Sequence, residues 1–304
     1  MALILFPRCS MTPMKVDSAF DREWRAAMVA GFDVALFDDL HLDLGGVPEG
    51  NGETAIYRGW MLSTAKYALL YHAMWKRGWH LINEPDEYRY CHELPSWYPD
   101  FVDTTPKSVW FPNPRDGETL DMVGIVAEVR EKLGPGPYIV KDYVKSRKHE
   151  WAEACFIEGP DDIQRVALTF LHRQDFDLAG GLVFRKFQPF KRVGEHPKSG
   201  MPLVCEARYF VVRGHTLACM AYWGPDDGGA GIELPGLGTG SDDYGLNRDH
   251  VKRIKSNFFT MDVAELPATL GGGWVIIELG DGQVAGLPEH VDAEGFYRKL
   301  KARF

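Results

Sequence analysis

The sequence predicts a mixed fold, α/β plus α+β, with the parallel part first. Three observations carry this. Up to about residue 133, short apolar runs alternate with segments whose apolar residues recur at helical spacing, the pattern of parallel strands joined by helices. The run "GPGP" at residues 134–137 then interrupts the chain, and beyond it strands come in pairs around one helix, as in an antiparallel sheet. With 304 residues the chain exceeds one compact core, so two or three lobes sharing a cleft are expected.

Element by element, "ALILF" is apolar throughout and ends at Pro7 and Arg8, too brief for a signal-peptide core or a membrane span, and reads as the first buried strand. A helix follows from about Ser18 to Ala30, then the strand "DVALFDDL". "TAIYRGW" reads as a strand running into a helix near Leu62 to Arg77, which Gly78 caps, and "WHLIN" resumes the sheet. After "SVWF", the residues Met122, Ile125, Val126, Val129 and Leu133 mark a helix that "GPGP" stops. "YIVKDYV" and "ACFIEG" are strands. A helix over 161–173 takes Asp161 or Asp162 as its cap, and "GLVFRKFQPF" and "CEARYFVVRGHTLACMAYW" return to strand. Residues 224–245 hold eight glycines and four aspartates, too little apolar material for a core element, and read as a mobile loop, either a lid or a plain solvated loop. "WVIIEL", a "GDG" turn and an amphipathic helix from Asp292 to Lys301 complete the chain.

Composition narrows the function. A hydrophobic fraction of 45% with 25% charged residues is that of an ordinary soluble enzyme. A net charge of -9 excludes broad nucleic-acid binding, which needs an extended basic surface, while leaving room for a local anion site. Five scattered cysteines without a C-x-x-C pair fit neither a disulfide framework nor a zinc ribbon, so a reducing cytoplasm is expected. There is no G-x-x-x-x-G-K-[ST], G-x-G-x-x-G, G-x-S-x-G or H-E-x-x-H, and "CHELP" at Cys91 begins like a zinc helix but lacks the second histidine.

What remains is a set of cations upstream and a set of carboxylates downstream. Lys141 interrupts a strand of β-branched and aromatic residues, and Lys145, Ser146, Arg147 and Lys148 follow within eight residues. Arg185 and Lys186 lie in a similarly apolar strand. Alternation puts Glu206 and Arg208 on one sheet face, either as an ion-pair ladder or as a phosphate site. Asp262, Glu278 at the end of an apolar strand and Asp281 in the turn after it are what an oxygen-ligand site for magnesium needs. The plainer alternative makes Asp262 a helix cap at "VAEL" and Asp281 a turn residue. Arg58 at a strand end suits either a substrate carboxylate or a structural salt bridge.

The order of strand lysine, cationic loop, helix, hinge strand, E-x-R strand, Asp262 and V-I-I-E-L strand with an acidic turn resembles the ATP-grasp superfamily. It is most similar to the stand-alone bacterial and phage clade grouped with amide-forming ligases, over residues 137–290. The resemblance implies an ATP-grasp fold: an N-terminal pre-grasp α/β lobe (1–134) and two α+β lobes (135–187 and 188–304) enclosing the nucleotide. It implies ATP with Mg²⁺, or Mn²⁺ in its place. Lys141 would contact the α and β phosphates, with the loop from Lys145 through Ser146 and Arg147 to Lys148 folded over them. Arg185, Lys186 and Phe187 would lie at the adenine hinge and Glu206 beside the nucleotide. Arg208 would stabilise the transferred phosphoryl group, Asp262 and Glu278 would hold the metal, and Asp281 would replace an asparagine of the family, since Gly280 stands in its place. Where many members have a glycine-rich loop this chain has "DYVKSRKHEW", so side chains more than backbone amides would hold phosphate. The implied activity is ligation of a small-molecule or peptide carboxylate to an amine through an acyl phosphate. The alternatives are a phosphotransferase and a non-catalytic nucleotide-binding module.

Overall fold

The strand β1 (Leu3–Pro7), buried at every position, is an inner strand of a four-stranded parallel sheet. The computed structural model describes residues 2–114, 119–229 and 248–304. The helix α1 (Asp21–Val29) leads from β1 to β2 (Asp33–Phe37) on one side; on the other lie β3 (Glu53–Tyr57), α2 (Thr64–Lys76) and β4 (Trp79–Leu81), giving the order β2-β1-β3-β4. The Ser63 hydroxyl caps α2 by accepting the Lys66 N–H. Gly78, at φ 81°, makes the turn into β4, where a Cβ would meet the Gly50 carbonyl oxygen at 2.2 Å, so no larger residue fits there. Two short helices follow, α3 (Pro85–His92) and α4 (Leu94–Trp97). The Glu84 N–H donates to the Glu87 carboxylate at the start of α3.

The second sheet is antiparallel, from β5 (Ser108–Pro112), the helix α5 (Met122–Leu133), β6 (Tyr138–Asp142), α6 (Trp151–Ala154), β7 (Phe156–Ile157), α7 (Ile163–Gln174) and β8 (Gly181–Lys186), in the order β5-β8-β6-β7. Tyr138, Val140, Leu182 and Phe184 point to α5 and α7 and form a core with Val109, Ile125, Val129 and Phe170. Alternation therefore sends Lys141 and Arg185 to the other face. The boundary expected at residue 134 needs correcting: β5 pairs with β8 and α5 packs in this lobe's core, so the sheet already begins near residue 108.

The remainder supplies the hairpin β9 (Arg192–Glu195) and β10 (Pro202–Val204), then β11 (Glu206–Val212), β12 (His215–Ala221), α8 (Arg248–Arg253), β13 (Phe258–Glu265), β14 (Trp274–Asp281) and α9 (Ala293–Lys301). Its main sheet is antiparallel with order β12-β11-β13-β14. One face, with Ala207, Tyr209, Phe259, Met261 and Leu279, packs on Cys91, Leu94 and Trp97 of α3 and α4. On the other face, Phe210, Val212 and Phe258 share a core with Ile4, Phe6, Ala27 and α9. Both faces thus tie this sheet to the first lobe. Because β13 runs through Glu265, Asp262 lies mid-strand and caps no helix. The loop expected at 224–245 falls outside the described residues from 230 onward; its start holds a single-turn 3-10 helix at Pro225–Asp227.

Candidate active site

The polar end of the last sheet looks across a cleft at β6 and the loop after it. Two adjoining cavities fill the cleft. One, of about 470 Å³, is lined by Lys145, Arg208 and Asp262 among others. The second, of about 370 Å³, is walled by Ile139, Trp151, Phe187, Val204 and Ile277 and is mostly apolar. Ser146, Lys148, Met201, Trp223 and Glu278 line both, so they mark the passage between them.

Two ion pairs define the polar floor. Lys141, buried, donates to Glu278 Oε1 at 2.5 Å and to the Val144 carbonyl at 3.2 Å. Arg208 binds Asp262 through Nε at 2.8 Å and Nη2 at 2.7 Å, a bidentate fork, and lies 4.7 Å from the Tyr222 ring centroid. Asp262 and Glu278 stand directly opposite one another in the β13–β14 register. A bulge there makes Ile277 the extra residue, and its carbonyl accepts from Arg185 Nη1 at 2.5 Å. Arg185 is also held by Ser108 Oγ and Thr105 Oγ1, and burial lowers its pKa to about 10. Burial opposes the charge of Glu278, but Lys141 and Lys148 outweigh it and hold the carboxyl below its ordinary pKa.

Glu206 and Arg208 share the cleft face, yet Arg208 pairs with Asp262 and Glu206 makes no ladder with it. Burial, opposed by Lys148 and reinforced by Asp262, pushes the Glu206 carboxyl up to about 7. The loop over the site is shaped by buried Asp142, whose Oδ1 accepts the N–H groups of Val144 and Lys145. Lys145 and Ser146 then line the polar cavity.

Four expected roles require correction. Arg147 faces away from the cleft, to Glu150, the Gln174 side chain and the Arg173 carbonyl, because the 3-10 turn at Lys148–Glu150 rotates it outward. The same turn brings Lys148 in, 5.1 Å from the Tyr222 ring centroid and 5.6 Å from that of Trp223. Burial opposes the Lys148 charge, but Tyr222, Glu206, Glu278 and Asp262 raise its pKa overall. Asp281 is separated from the other two carboxylates, since β14 continues through it and alternation turns it to the opposite face. There it accepts from Asn83 Nδ2 at 2.6 Å and from the Gln283 N–H at 2.9 Å, and burial pushes it up to about 7. Arg58 is the structural salt bridge: it is buried and donates to Glu23 Oε2 at 2.6 and 3.0 Å and to the Gly282 and Ala285 carbonyls. Lys186 lines the apolar cavity but spends its ammonium on the Pro135 and Gly136 carbonyls.

No group of three or more metal-ligating side chains stands together among the described residues. Two carboxylates on one face, opposite in register, do fit a magnesium ion that takes its other ligands from phosphate and water. Among the cleft residues that escape sequence reasoning are His92, Tyr222 and Trp223. The only signal for His92 is "CHELP".

Comparison with known proteins places this architecture. No curated protein matches the sequence. Among solved structures, a RimK domain ATP-grasp protein from Sphaerobacter thermophilus superposes with a TM-score of 0.58 at 12% identity, covering 99% of this chain and 98% of its own. The D-cycloserine synthetase DcsG gives 0.58 at 12% identity over 100% and 99%. The ATP-grasp ligase PsnB, solved with a minimal precursor, Mg and ADP, gives 0.53 at 12% identity over 99% and 97%. At such identities the likeness is one of fold. A family model described as an ATP-grasp domain, family 3 of its clade, matches residues 132–300, more than half of the chain, and the chain belongs to that ATP-grasp family.

Proposed function

We propose that this protein is an ATP- and Mg²⁺-dependent carboxylate-amine ligase that forms an amide or peptide bond through an acyl phosphate. The observation that carries this is the pairing of Lys141 with Glu278 and of Arg208 with Asp262 on the floor of a cleft whose apolar and polar cavities adjoin. The apolar cavity suits a purine, with Phe187 and Ile277 in its wall and the Arg185 and Lys186 segment at its edge. Lys141 and Lys148 would meet the phosphates, Lys145 and Ser146 would cover them, and Arg208 would oppose charge on the transferred phosphoryl group. Glu206 lies at the nucleotide end. Asp262 and Glu278 would hold magnesium, which when bound neutralises phosphate charge. Fixed cations in a water-poor cleft are what transfer of a phosphoryl group to an anion requires.

The natural acid and amine are small molecules or peptides in this reading, supported by the likeness to DcsG, a cycloserine synthetase, and to PsnB, a ligase bound to a precursor. No helix among the described residues is long and apolar enough to cross a membrane. The five cysteines, all unpaired, accord with a cytoplasmic setting. The test uses a panel of amino acids and peptides whose carboxylate oxygens carry heavy isotope. Ligation passes label into released phosphate, and hydroxylamine is captured as a hydroxamate, one for each ADP. Label retained in the acid while ADP accumulates, with a stable phosphorylated product, would establish a phosphotransferase instead.

A further inference from the structure

The polar cavity extends past the ion pairs to residues that contribute nothing to the apolar cavity, among them Met61, His92, Asp281, Val284 and Ala285. Of the two polar side chains among these, Asp281 is already held by Asn83 and Gln283, which leaves His92. It is the last residue of α3 and is only 7% exposed, yet it lines the cavity. Among the described residues its ring nitrogens have no hydrogen-bond partner, and they are not sealed from the cavity. Its ring is held in place regardless. It stacks on Tyr88 at 4.8 Å between centroids, Tyr88 stacks on Tyr67 at 3.9 Å, and the Tyr88 hydroxyl is fixed by donating to the Leu62 carbonyl at 2.7 Å. An imidazole held in a fixed orientation, with its nitrogens open to the cavity and no protein partner on them, is free to accept a hydrogen bond from a ligand's N–H.

We propose that His92 contacts the nitrogen nucleophile: one ring nitrogen accepts an N–H hydrogen bond from a primary amine and directs its lone pair at the acyl carbon. This rests on the ligase reading above. As the C–N bond forms, the bond from carbonyl carbon to the bridging oxygen breaks and phosphate leaves with that electron pair. The surplus amine proton passes along the hydrogen bond to the imidazole and on to solvent. The charged and titratable groups around the ring are Tyr88 on its own helix, Lys145 and Lys141 from the second lobe and Glu278 from the third. Burial first, then Lys145 and Lys141, bring its pKa down to about 4, so the imidazole is neutral and can accept. Phosphate bound by the two lysines would offset their charge and raise its basicity as the nucleophile arrives.

The experiment uses the full chain with Mg·ATP at pH 7 and the acid from the panel that releases ADP fastest. Hydroxylamine, largely unprotonated and strongly nucleophilic, is compared with ammonia, glycinamide and ethanolamine. In His92→Gln and His92→Ala, hydroxamate formation should stay near the wild-type rate while amide formation falls about a hundredfold, as for loss of a proton acceptor. Added imidazole should restore part of the amide rate in His92→Ala. ADP affinity reports an intact cleft, and His92→Gln is the variant read if His92→Ala does not fold. Hydroxamate and amide falling together, or neither falling, overturns the assignment of His92 alone. A wild type that traps hydroxylamine but none of the three amines overturns it as well, while a wild type giving no hydroxamate with any acid sinks the ligase reading and this inference together.

Discussion

Replacing Arg58 by methionine separates a structural role from a substrate-binding one. The guanidinium lies in the centre of a contact between the first lobe and the end of the chain: Nε and Nη2 reach Glu23 on α1, and Nη1 reaches the Gly282 and Ala285 carbonyls beyond β14. Tyr297 of α9 adds a third donor to the same Glu23 oxygen at 2.6 Å. Arg58→Met keeps the apolar stem but strands a carboxylate that is only 6% exposed, together with two carbonyls. Removing one partner of a buried pair costs about 3–5 kcal/mol. At roughly 2 °C per kcal/mol for a chain of this size, the unfolding midpoint should fall by about 6–10 °C. Glu23→Gln combined with Arg58→Met removes both charges and should recover part of that loss, giving a coupling of about 2 kcal/mol in the double-mutant cycle. Thermal unfolding of the ligand-free protein, followed by circular dichroism, measures all four members of the cycle. A midpoint within about 2 °C of wild type, with a selective rise in KM for the acid substrate, would refute the structural assignment.

Three further outcomes follow from the same geometry. Asp262→Asn and Glu278→Gln should each lower Mg²⁺-dependent turnover by more than about tenfold, while calorimetric ADP affinity without metal stays or improves because carboxylate repulsion is gone; full activity in Glu278→Gln removes it from the metal site. Lys148→Ala should weaken nucleotide binding more than Arg147→Ala, which should mainly loosen the cluster with Glu150 and Arg173; equal effects in a nucleotide titration would point to general electrostatic attraction. Because burial raises the folded-state pKa of Asp281 from 3.8 to about 7, the folded chain keeps a proton that the unfolded chain releases. Its stabilisation is therefore fully present below about pH 4 and is lost as pH rises towards about 7. Asp281→Asn should flatten that slope in urea unfolding between about pH 4 and 8, and parallel wild-type and variant slopes would contradict it.

Much of the fold was legible because strands and helices announce themselves by period. The parallel first sheet and the antiparallel later ones follow from alternating apolar runs, and Gly78 marks the helix end it serves. What failed was pairing. "SVWF" reads as a strand in either lobe, and only its register with β8, more than seventy residues on, assigns it to the second. The helices α3 and α4 stayed hidden because each is short and the "CHELP" proline, which reads as a helix breaker, sits in the first turn of α4.

The site divides along a similar line. Lys141, Arg208, Asp262 and Glu278 each interrupt an apolar strand, and a charge that survives in such a strand needs a partner. Period 2 then gives its face. Asp281 was misplaced because parity was dropped at the supposed strand end: three residues from Glu278 means the opposite face once β14 runs that far. Arg147 and Lys148 are indistinguishable in sequence, and one 3-10 turn decides between them. The cations gathered in an acidic chain acquire a physical reason from the pairs they form. Lys141 and Asp262 are buried and would each carry a desolvation cost alone, and each is offset by a partly exposed partner of opposite sign, Glu278 and Arg208. In the ligase reading, Mg·ATP enters by exchange: the carboxylates turn to the metal and the cations to the phosphates, so each charge of the two pairs is opposed before and after binding. A nucleotide without metal would leave Asp262 and Glu278 facing phosphate with nothing between, which is why metal dependence should appear in affinity as well as in turnover.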